Sequence, residues 1–289
     1  MFLQLLVNGL IAGAIYALVA TGFSLIYSTC KFIHFAHGAT IAFSAYILYY
    51  LFSDLGLNFW LSVLLTIIFA GVFGLALNFI YKQFRRKNAS NTILLIASFA
   101  LLILLESLIL ILFGADVKTV GFIRVVKGLE FFGAIITPLQ IVIIICSVVL
   151  FILLFLLMRK TRLGKAMRAV SDNKDMAEIV GISSKKIYAR TFIIGSAIAG
   201  IAGILVGLEQ NLEPTMGTNL MIKGFTGAVI GGVGNVPGAV LGSFLLGLAE
   251  NFGIWYLPSG YKDAIAFIIL FIFLILRPQG ILGIKKDIQ

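Results

Sequence analysis

Long apolar runs that carry almost no charge dominate this sequence, and they constrain its fold more than any other feature. Apolar residues make up 61% of the 289-residue chain and charged residues 12%, whereas a soluble domain typically has about 45–50% and about 25%. This composition excludes an ordinary soluble enzyme, which could not bury so much apolar surface, and also a disordered chain, which requires low hydrophobicity. Since a helix crosses the hydrocarbon core with roughly 20 residues, we predict an all-α polytopic membrane protein with about eight transmembrane helices. The predicted spans are residues 3–27, 36–51, 59–81, 92–113, 138–158, 191–208, the glycine-rich region 222–253, and 264–276.

The basic residues of the polar breaks between these spans are distributed unevenly. The chain has 22 Lys and Arg against 12 Asp and Glu. Most of the basic residues lie in residues 82–87, in residues 159–190, and in a tail that contains Arg277, Lys285 and Lys286. Because loops rich in Lys and Arg stay in the cytoplasm, we expect all three segments there. The remaining breaks mix single basic residues, Lys223 among them, with acidic ones.

Counting spans from the cytoplasmic segments sets the rest of the topology. It places the N-terminus, residues 114–137 and both ends of the region 222–253 outside the cell. That region is too short for two full spans, so we predict either two short helices or a re-entrant hairpin. The break would fall in residues 231–238, with Pro237 in the first turn of the second helix.

A second break is predicted in residues 31–38, after a strongly apolar run. Irregular backbone is tolerated at membrane depth only where protein or a water-filled cavity surrounds it, since its freed polar groups need partners. We therefore predict that residues at the two breaks line the substrate pathway. These are His37, Gly38, Gly231, Gly232, Gly234 and Asn235.

Residues 159–190 form the longest polar break and contain nine Lys and Arg. Asp172 is predicted to cap a short helix that has Asp175 near its start and Gly181 at its end. Met176, Ile179 and Val180 would form an apolar stripe on this helix. A short amphipathic helix of this kind suits the lipid headgroup region or a groove in a soluble partner, and composition does not separate the two.

Few residues carry catalytic or ligand-binding chemistry. Glu106 lies within a predicted span, where a carboxylate is either functional or hydrogen-bonded to a neighbouring helix. Glu250 lies nearer the predicted outer interface, which makes a functional role less expected. His34 and His37 could share a helix face, but two histidines without a third ligand are a weak metal signal. Gly164-Lys165 lacks the other residues of a phosphate-binding loop, and no catalytic constellation is present, so we expect no metal, no cofactor and no enzymatic activity.

Five short motifs occur along the chain in the order found in one transporter family. They are residues 13–18 (Gly-Ala-Ile-Tyr-Ala-Leu) with 35–38 (Phe-Ala-His-Gly), residues 172–182, residues 195–203, residues 231–238 (Gly-Gly-Val-Gly-Asn-Val-Pro-Gly), and residues 277–283 (Arg-Pro-Gln-Gly-Ile-Leu-Gly). Together they resemble the permeases of branched-chain amino acid ABC transporters, and the compact length is similar to the LivH-type subunit. In two places the sequence departs from the family pattern. His34 stands where Asn is common, and Asn235 stands where a small residue is common, so substrate preference could differ.

The resemblance implies that residues 1–289 form one transmembrane permease domain, with residues 159–190 as its cytoplasmic coupling loop. It implies a multi-pass protein of the bacterial or archaeal cytoplasmic (inner) membrane that imports leucine, isoleucine or valine by alternating access. The implied partners are a second homologous permease, two ATP-binding subunits that hydrolyse ATP, and an extracytoplasmic amino-acid-binding protein. The residues that the resemblance places at the ATPase contact are Asp172, Ala177, Glu178 and Gly181.

Other transport functions stay open on the sequence. One is a permease of the same superfamily for urea, amides or other small solutes. Another is an ion-coupled secondary transporter that uses Glu106 and the hairpin at residues 231–238, although such transporters usually contain inverted repeats and none is visible here.

Overall fold

The computed structural model of the chain describes residues 1–122, 128–131 and 133–283, so Lys285 and Lys286 of the predicted tail lie outside the described residues. Most of the described chain is α-helical, as the composition predicts. The helices are α1 (Phe2–Cys30), α2 (His37–Tyr49), α3 (Phe59–Arg86), α4 (Asn91–Phe113), α5 (Pro138–Lys160), α6 (Arg162–Asp172), α7 (Lys174–Ile179), α8 (Ser184–Glu209), α9 (Met216–Gly231), α10 (Val236–Gly253) and α11 (Lys262–Leu276). A π-helical turn (Tyr50–Asp54) follows α2 and a 3₁₀ turn (Ser259–Tyr261) precedes α11. A small antiparallel hairpin joins β1 (Leu129–Phe131) to β2 (Ala134–Ile136).

Seven of the described helices are long and apolar enough to cross a membrane. The prediction of a polytopic helical protein is confirmed, and the difference from about eight spans has a local origin. The predicted span 36–51 is a 13-residue helix, α2, that continues only through the π-helical turn. The glycine-rich region forms the two short helices α9 and α10, as one of the two predicted alternatives stated.

Polar residues cap several helices and determine where they begin. Each cap residue accepts a hydrogen bond from a backbone N–H of the first turn, which satisfies a donor that has no partner within the helix. The caps of α3, α4, α6, α7 and α10 are Asn58, Ser90, Thr161, Asn173 and Asn235.

The chain divides into two compact units. Unit 1 comprises the described parts of residues 1–24, 125–152 and 222–289, and unit 2 those of residues 25–124 and 153–221. That all 289 residues act as one permease domain stays a prediction.

Within unit 2, α8 is the central helix and packs against α2 and α3. The approach is so close that a methyl group at Gly203 would overlap the carbonyl oxygen of Ile41 in α2. One turn later, a methyl group at Gly207 would lie 3.1 Å from the Cβ of Ala45. This close packing follows the rule that small residues let helix backbones approach in lipid.

Within unit 1, the first part of α1 packs against α10. A methyl group at Gly247 would lie 2.6 Å from the carbonyl oxygen of Gly9. In contrast, most side chains of α11 are exposed in the isolated chain. This unit therefore contains both tightly packed and peripheral helices.

Candidate functional site

The first predicted break is confirmed between α1 and α2, where residues 31–36 are not helical. Several backbone N–H groups at this break are paired locally or with a neighbouring helix. The backbone N–H groups of His37 and Gly38 donate to the carbonyl oxygens of His34 and Phe35, at 3.3 and 3.0 Å. The N–H of Ala36 donates to the Ser98 hydroxyl of α4 at 3.1 Å.

Gly38, a predicted pathway residue, is a point of close contact between helices of unit 2. A methyl group there would lie 2.6 Å from the carbonyl oxygen of Gly217 in α9. Gly38 and His37 are both buried at the start of α2. The close approach of the two backbones explains why residue 38 is a glycine, and this explanation does not require a bound substrate.

His34 and His37 do not share a helix face, which corrects the expectation from their spacing. His34 lies in the break before α2, and only His37 is helical. The buried His34 ring places Nδ1 3.1 Å from the Tyr81 hydroxyl and its centroid 5.1 Å from the Phe192 ring. Among the described residues, no group of three His, Cys, Asp or Glu side chains could hold a metal ion. This region of unit 2 is a packed aromatic and imidazole cluster.

The second predicted break is confirmed at residues 232–235 in unit 1. Gly232 and Gly234 have φ angles of +114° and +89°, which L side chains rarely adopt. Asn235 caps α10 through its side-chain oxygen, which accepts from the Gly238 N–H at 3.3 Å. Pro237 lies in the first turn, as predicted.

The polar groups freed at this break are paired with the C-terminal segment, residues 277–283. The N–H groups of Ile281 and Leu282 donate to the carbonyl oxygens of Ile230 and Gly231, both at 2.9 Å. The side-chain amide of Asn235 donates to the carbonyl oxygen of Leu282 at 2.6 Å. The sequence predicts that these groups need substrate, water or neighbouring residues as partners, but it did not identify the chain's own residues 281 and 282 in that role.

The six predicted pathway residues therefore fall into two groups. Gly231, Gly232, Gly234 and Asn235 lie together at the turn of unit 1, and His37 and Gly38 lie in unit 2. A role in the substrate pathway stays a prediction for all six.

Glu106 is half-buried in α4 and has one hydrogen-bond partner among the described residues. The Thr218 hydroxyl of α9 donates to its carboxylate at 2.8 Å. This is the interhelical hydrogen bond that the structural alternative for Glu106 requires.

Glu250 is the second carboxylate within an apolar helix, and its surroundings differ from those of Glu106. Its side chain is fully buried in α10. The Tyr16 hydroxyl donates to it at 2.7 Å, and the Lys223 ammonium lies 3.2 Å from both of its oxygens. The same ammonium lies 2.9 Å from Asp263, which is 73% exposed. We call Tyr16, Lys223, Glu250 and Asp263 the Glu250 cluster.

The sequence predicts Lys223 in a polar break, but it lies inside α9 and its side chain is only 15% exposed. The sequence does contain a signal for this pair. Lys223 lies in an apolar stretch, and the next apolar stretch contains the carboxylate of Glu250. Burying a charge is costly unless it is paired, so the two groups must be considered together.

The predicted coupling loop contains two helices, α6 and α7, whereas one was predicted. The cap of α7 is Asn173, whose side chain accepts from the Met176 N–H at 3.0 Å. The prediction that Asp172 caps this helix is wrong, because Asp172 is the last residue of α6 and Asn173 has the extended backbone of a cap. Asp175 lies in the first turn and Gly181, with a φ of +84°, follows the end of the helix, as predicted.

An apolar stripe is exposed on α7, beside its charged residues. Met176, Ile179 and Val180 are 60%, 77% and 72% exposed, so the predicted stripe lies at the surface of this chain. Of the predicted contact residues, Ala177 is buried, and Glu178 accepts a hydrogen bond from the Ser184 hydroxyl. We call Met176, Ile179 and Val180 the α7 patch.

Comparison with known proteins relates this geometry to a family. The family model described as the permease component of the branched-chain amino acid transport system matches residues 5–274. The high-affinity branched-chain amino acid transport system permease protein BraD of Pseudomonas aeruginosa is 35% identical, over 98% of this chain and 96% of its own length. The protein LivH of Escherichia coli, with the same description, is 34% identical over 98% and 96%. A probable LivH of Methanocaldococcus jannaschii is 30% identical over 97% and 92%.

Among solved structures, PsaBC from Streptococcus pneumoniae in complex with Fab is similar with a TM-score of 0.50. The match covers 94% of this chain and 91% of that chain at 13% identity, so it indicates a similarity of fold alone.

Proposed function

Because this chain belongs to the family of permease components of branched-chain amino acid transport systems, we propose that it is the membrane-spanning subunit of an ATP-driven importer of leucine, isoleucine or valine. In this proposal it acts in the cytoplasmic membrane beside a second homologous permease. Two ATP-binding subunits hydrolyse ATP, and an extracytoplasmic binding protein delivers the amino acid. The chain itself is a transport subunit and catalyses no reaction.

The α7 patch is the observation that carries the coupling part of this proposal. Three large apolar side chains stand exposed on a loop that contains nine Lys and Arg. Exposed apolar patches rimmed by polar residues are typical of protein contacts. The positive charge of the loop supports a cytoplasmic location, where the ATP-binding subunits lie.

The contact is proposed to form through the α7 patch, with the Asp172–Gly181 segment shaping it. Ala177 packs inward and Gly181 ends the helix, so both hold the patch in position. When the ATP-binding subunits close, they move α7 through their contact with the α7 patch. Helix α7 transmits this motion to α6 and α8, which precede and follow it in the sequence.

Co-purification and transport test this proposal with two matched variants. Ile179→Glu with Val180→Glu places charges in the patch, whereas Val117→Glu changes a comparably exposed residue elsewhere in unit 2. We expect the double variant to stay folded but to lose the ATP-hydrolysing subunits and ATP-dependent leucine uptake in proteoliposomes. The Val117→Glu variant should retain both.

Other outcomes would support the alternatives. Uptake that needs an ion gradient and no ATP would contradict the importer proposal and favour a secondary transporter. ATP-dependent uptake of urea or amides without leucine uptake would keep the coupling mechanism and correct the substrate.

A further inference from the structure

The last turns of α3 extend beyond the hydrocarbon core. The helix has 28 residues, which corresponds to about 42 Å, against about 30 Å for the core. Trp60, 74% exposed at the start of α3, is a residue type that concentrates at the membrane interface. Lys82 follows it by 22 residues, or about 33 Å along the helix. Lys82 is therefore at the depth of the lipid headgroups on the opposite side.

One face of α3 forms a continuous apolar row between these two levels. Its members are spaced three or four residues apart, which keeps them on one face of a helix. They are the exposed residues Trp60, Leu64, Ile68, Val72, Leu75 and Phe79. The opposite face packs against α8, where a methyl group at Gly74 would overlap Ser196. The exposed row is thus the face that α3 turns away from the core of unit 2.

This apolar row continues directly into a basic groove. A groove of about 380 Å³ is lined by Phe79, Lys82, Gln83, Arg86 and Lys87. Its three cations are exposed, and among the described residues none of them forms an ion pair. The neighbouring Arg85 is not part of the groove, because its guanidinium packs over the rings of Tyr188 and Phe32 at 4.4 and 5.2 Å.

We infer that the basic groove binds the phosphate of an anionic phospholipid whose acyl chain lies along the apolar row of α3. The guanidinium of Arg86 can form paired hydrogen bonds with a phosphate, and the two lysines add point charges. Basic residues at the headgroup level attract anionic lipids. A free phosphate would use the cations alone, whereas a lipid also uses Phe79 and the row before it. The combination favours a lipid.

Native mass spectrometry of the full-length permease, with whatever subunits co-purify, tests this inference. The probes are palmitoyl-oleoyl phosphatidylglycerol and palmitoyl-oleoyl phosphatidylcholine, titrated separately. Each basic residue contributes roughly fivefold to the affinity for an anionic lipid. We expect the wild type to prefer phosphatidylglycerol, and the triple variant Lys82→Gln, Arg86→Gln, Lys87→Gln to lose more than about tenfold of that affinity.

A matched control removes the same net charge elsewhere. Lys165, Lys185 and Lys186 are exposed on residues 159–190 but outside the Asp172–Gly181 segment, and their change to Gln should leave the lipid preference intact. Equal losses in both triple variants would mean that only net charge matters, and would overturn the inference. A wild type with no preference for phosphatidylglycerol would overturn it as well.

Two further arms separate the lipid from other occupants. Phe79→Ser should weaken phosphatidylglycerol binding, because it removes an apolar contact beside the groove. If that variant binds normally and inorganic phosphate displaces the lipid, the groove is a free-anion site and the inference is wrong. If the groove variant instead loses a partner subunit and keeps its lipid preference, the face is a protein contact and the inference is wrong.

Discussion

Two carboxylates lie within apolar helices of this protein, and their surroundings differ sharply. Glu106 in α4 is half-buried and accepts a hydrogen bond from one hydroxyl, that of Thr218. Glu250 in α10 is fully buried and is held by the Tyr16 hydroxyl and the Lys223 ammonium. From position along the chain, Glu106 was the better functional candidate. In burial and pairing the order is the opposite, since Glu250 is the more deeply buried of the two and the one that is paired with a charge.

The comparison shows that a membrane helix tolerates a carboxylate in two ways. A partly exposed carboxylate keeps some polar surroundings and needs little from its neighbours. A buried one needs a partner of opposite charge, and removing that partner leaves an uncompensated charge. The variants below are expected to separate the two cases.

The largest effect is expected from Lys223→Met, which leaves the buried Glu250 carboxylate without its cation. Breaking a buried ion pair from one side typically costs about 3–5 kcal/mol. Thermal unfolding of the purified protein should show a large loss of stability, while Lys262→Met, on the neighbouring α11, should have little effect. Adding Glu250→Gln to Lys223→Met should restore much of the loss. A double variant as unstable as the single one would show that pairing of charges is not what Lys223 provides.

Tyr16→Phe should have the next largest effect, since it removes the hydroxyl that donates to Glu250 and changes little else. A hydrogen bond to a charged group contributes about 1.5–3 kcal/mol. The same unfolding measurement should show a loss smaller than that of Lys223→Met. If Glu250→Gln is introduced first, the effect of Tyr16→Phe should shrink, because the acceptor is then uncharged.

Thr218→Val tests the half-buried carboxylate in the same way. It removes the one hydroxyl that donates to Glu106, and an ordinary intramolecular hydrogen bond contributes about 0.5–1.5 kcal/mol. We expect a loss at the lower end, since water can reach Glu106. A loss as large as that of Tyr16→Phe would contradict the distinction between the two carboxylates.

Asp263→Asn should have the smallest effect, although the Asp263–Lys223 distance of 2.9 Å is shorter than the Lys223–Glu250 distances. Asp263 is mostly exposed, and exposed ion pairs contribute about 0–1 kcal/mol. Stability should change little, and less still in high salt, which screens surface charges. A loss comparable to that of Lys223→Met would mean that the outer pair, and not the buried one, holds the cluster together.

Local features of the structure were largely predictable. The apolar runs predicted the helical class and most spans, and Pro237 predicted where the second helix of the glycine-rich region begins. Gly181 predicted the end of α7. The family resemblance, based on motifs along the chain, is confirmed by the family model over residues 5–274. These features depend on residues close together in sequence, whose spacing is visible without the fold.

Two features near the candidate sites could not be predicted from local patterns. Asn173 rather than Asp172 caps α7, a shift of one residue that depends on where α6 ends. The carbonyl groups freed at residues 230–231 are paired with Ile281 and Leu282, about fifty positions away in the chain. No local pattern indicates such a pairing.

The sequence by itself determined that this protein is a helical membrane protein, because apolar length and the distribution of charge act through the membrane on each segment separately. Its motifs, read along the chain, also identified the permease family. Only the tertiary structure decided which polar groups within those segments matter. Lys223 and Glu250 lie 27 positions apart and on different helices, so their pairing depends on how α9 and α10 pack. Packing also turned the α7 patch outward and Ala177 inward. The physical reason is that hydrophobicity is a property of each segment, whereas the pairing of a buried charge is a property of the contacts between segments.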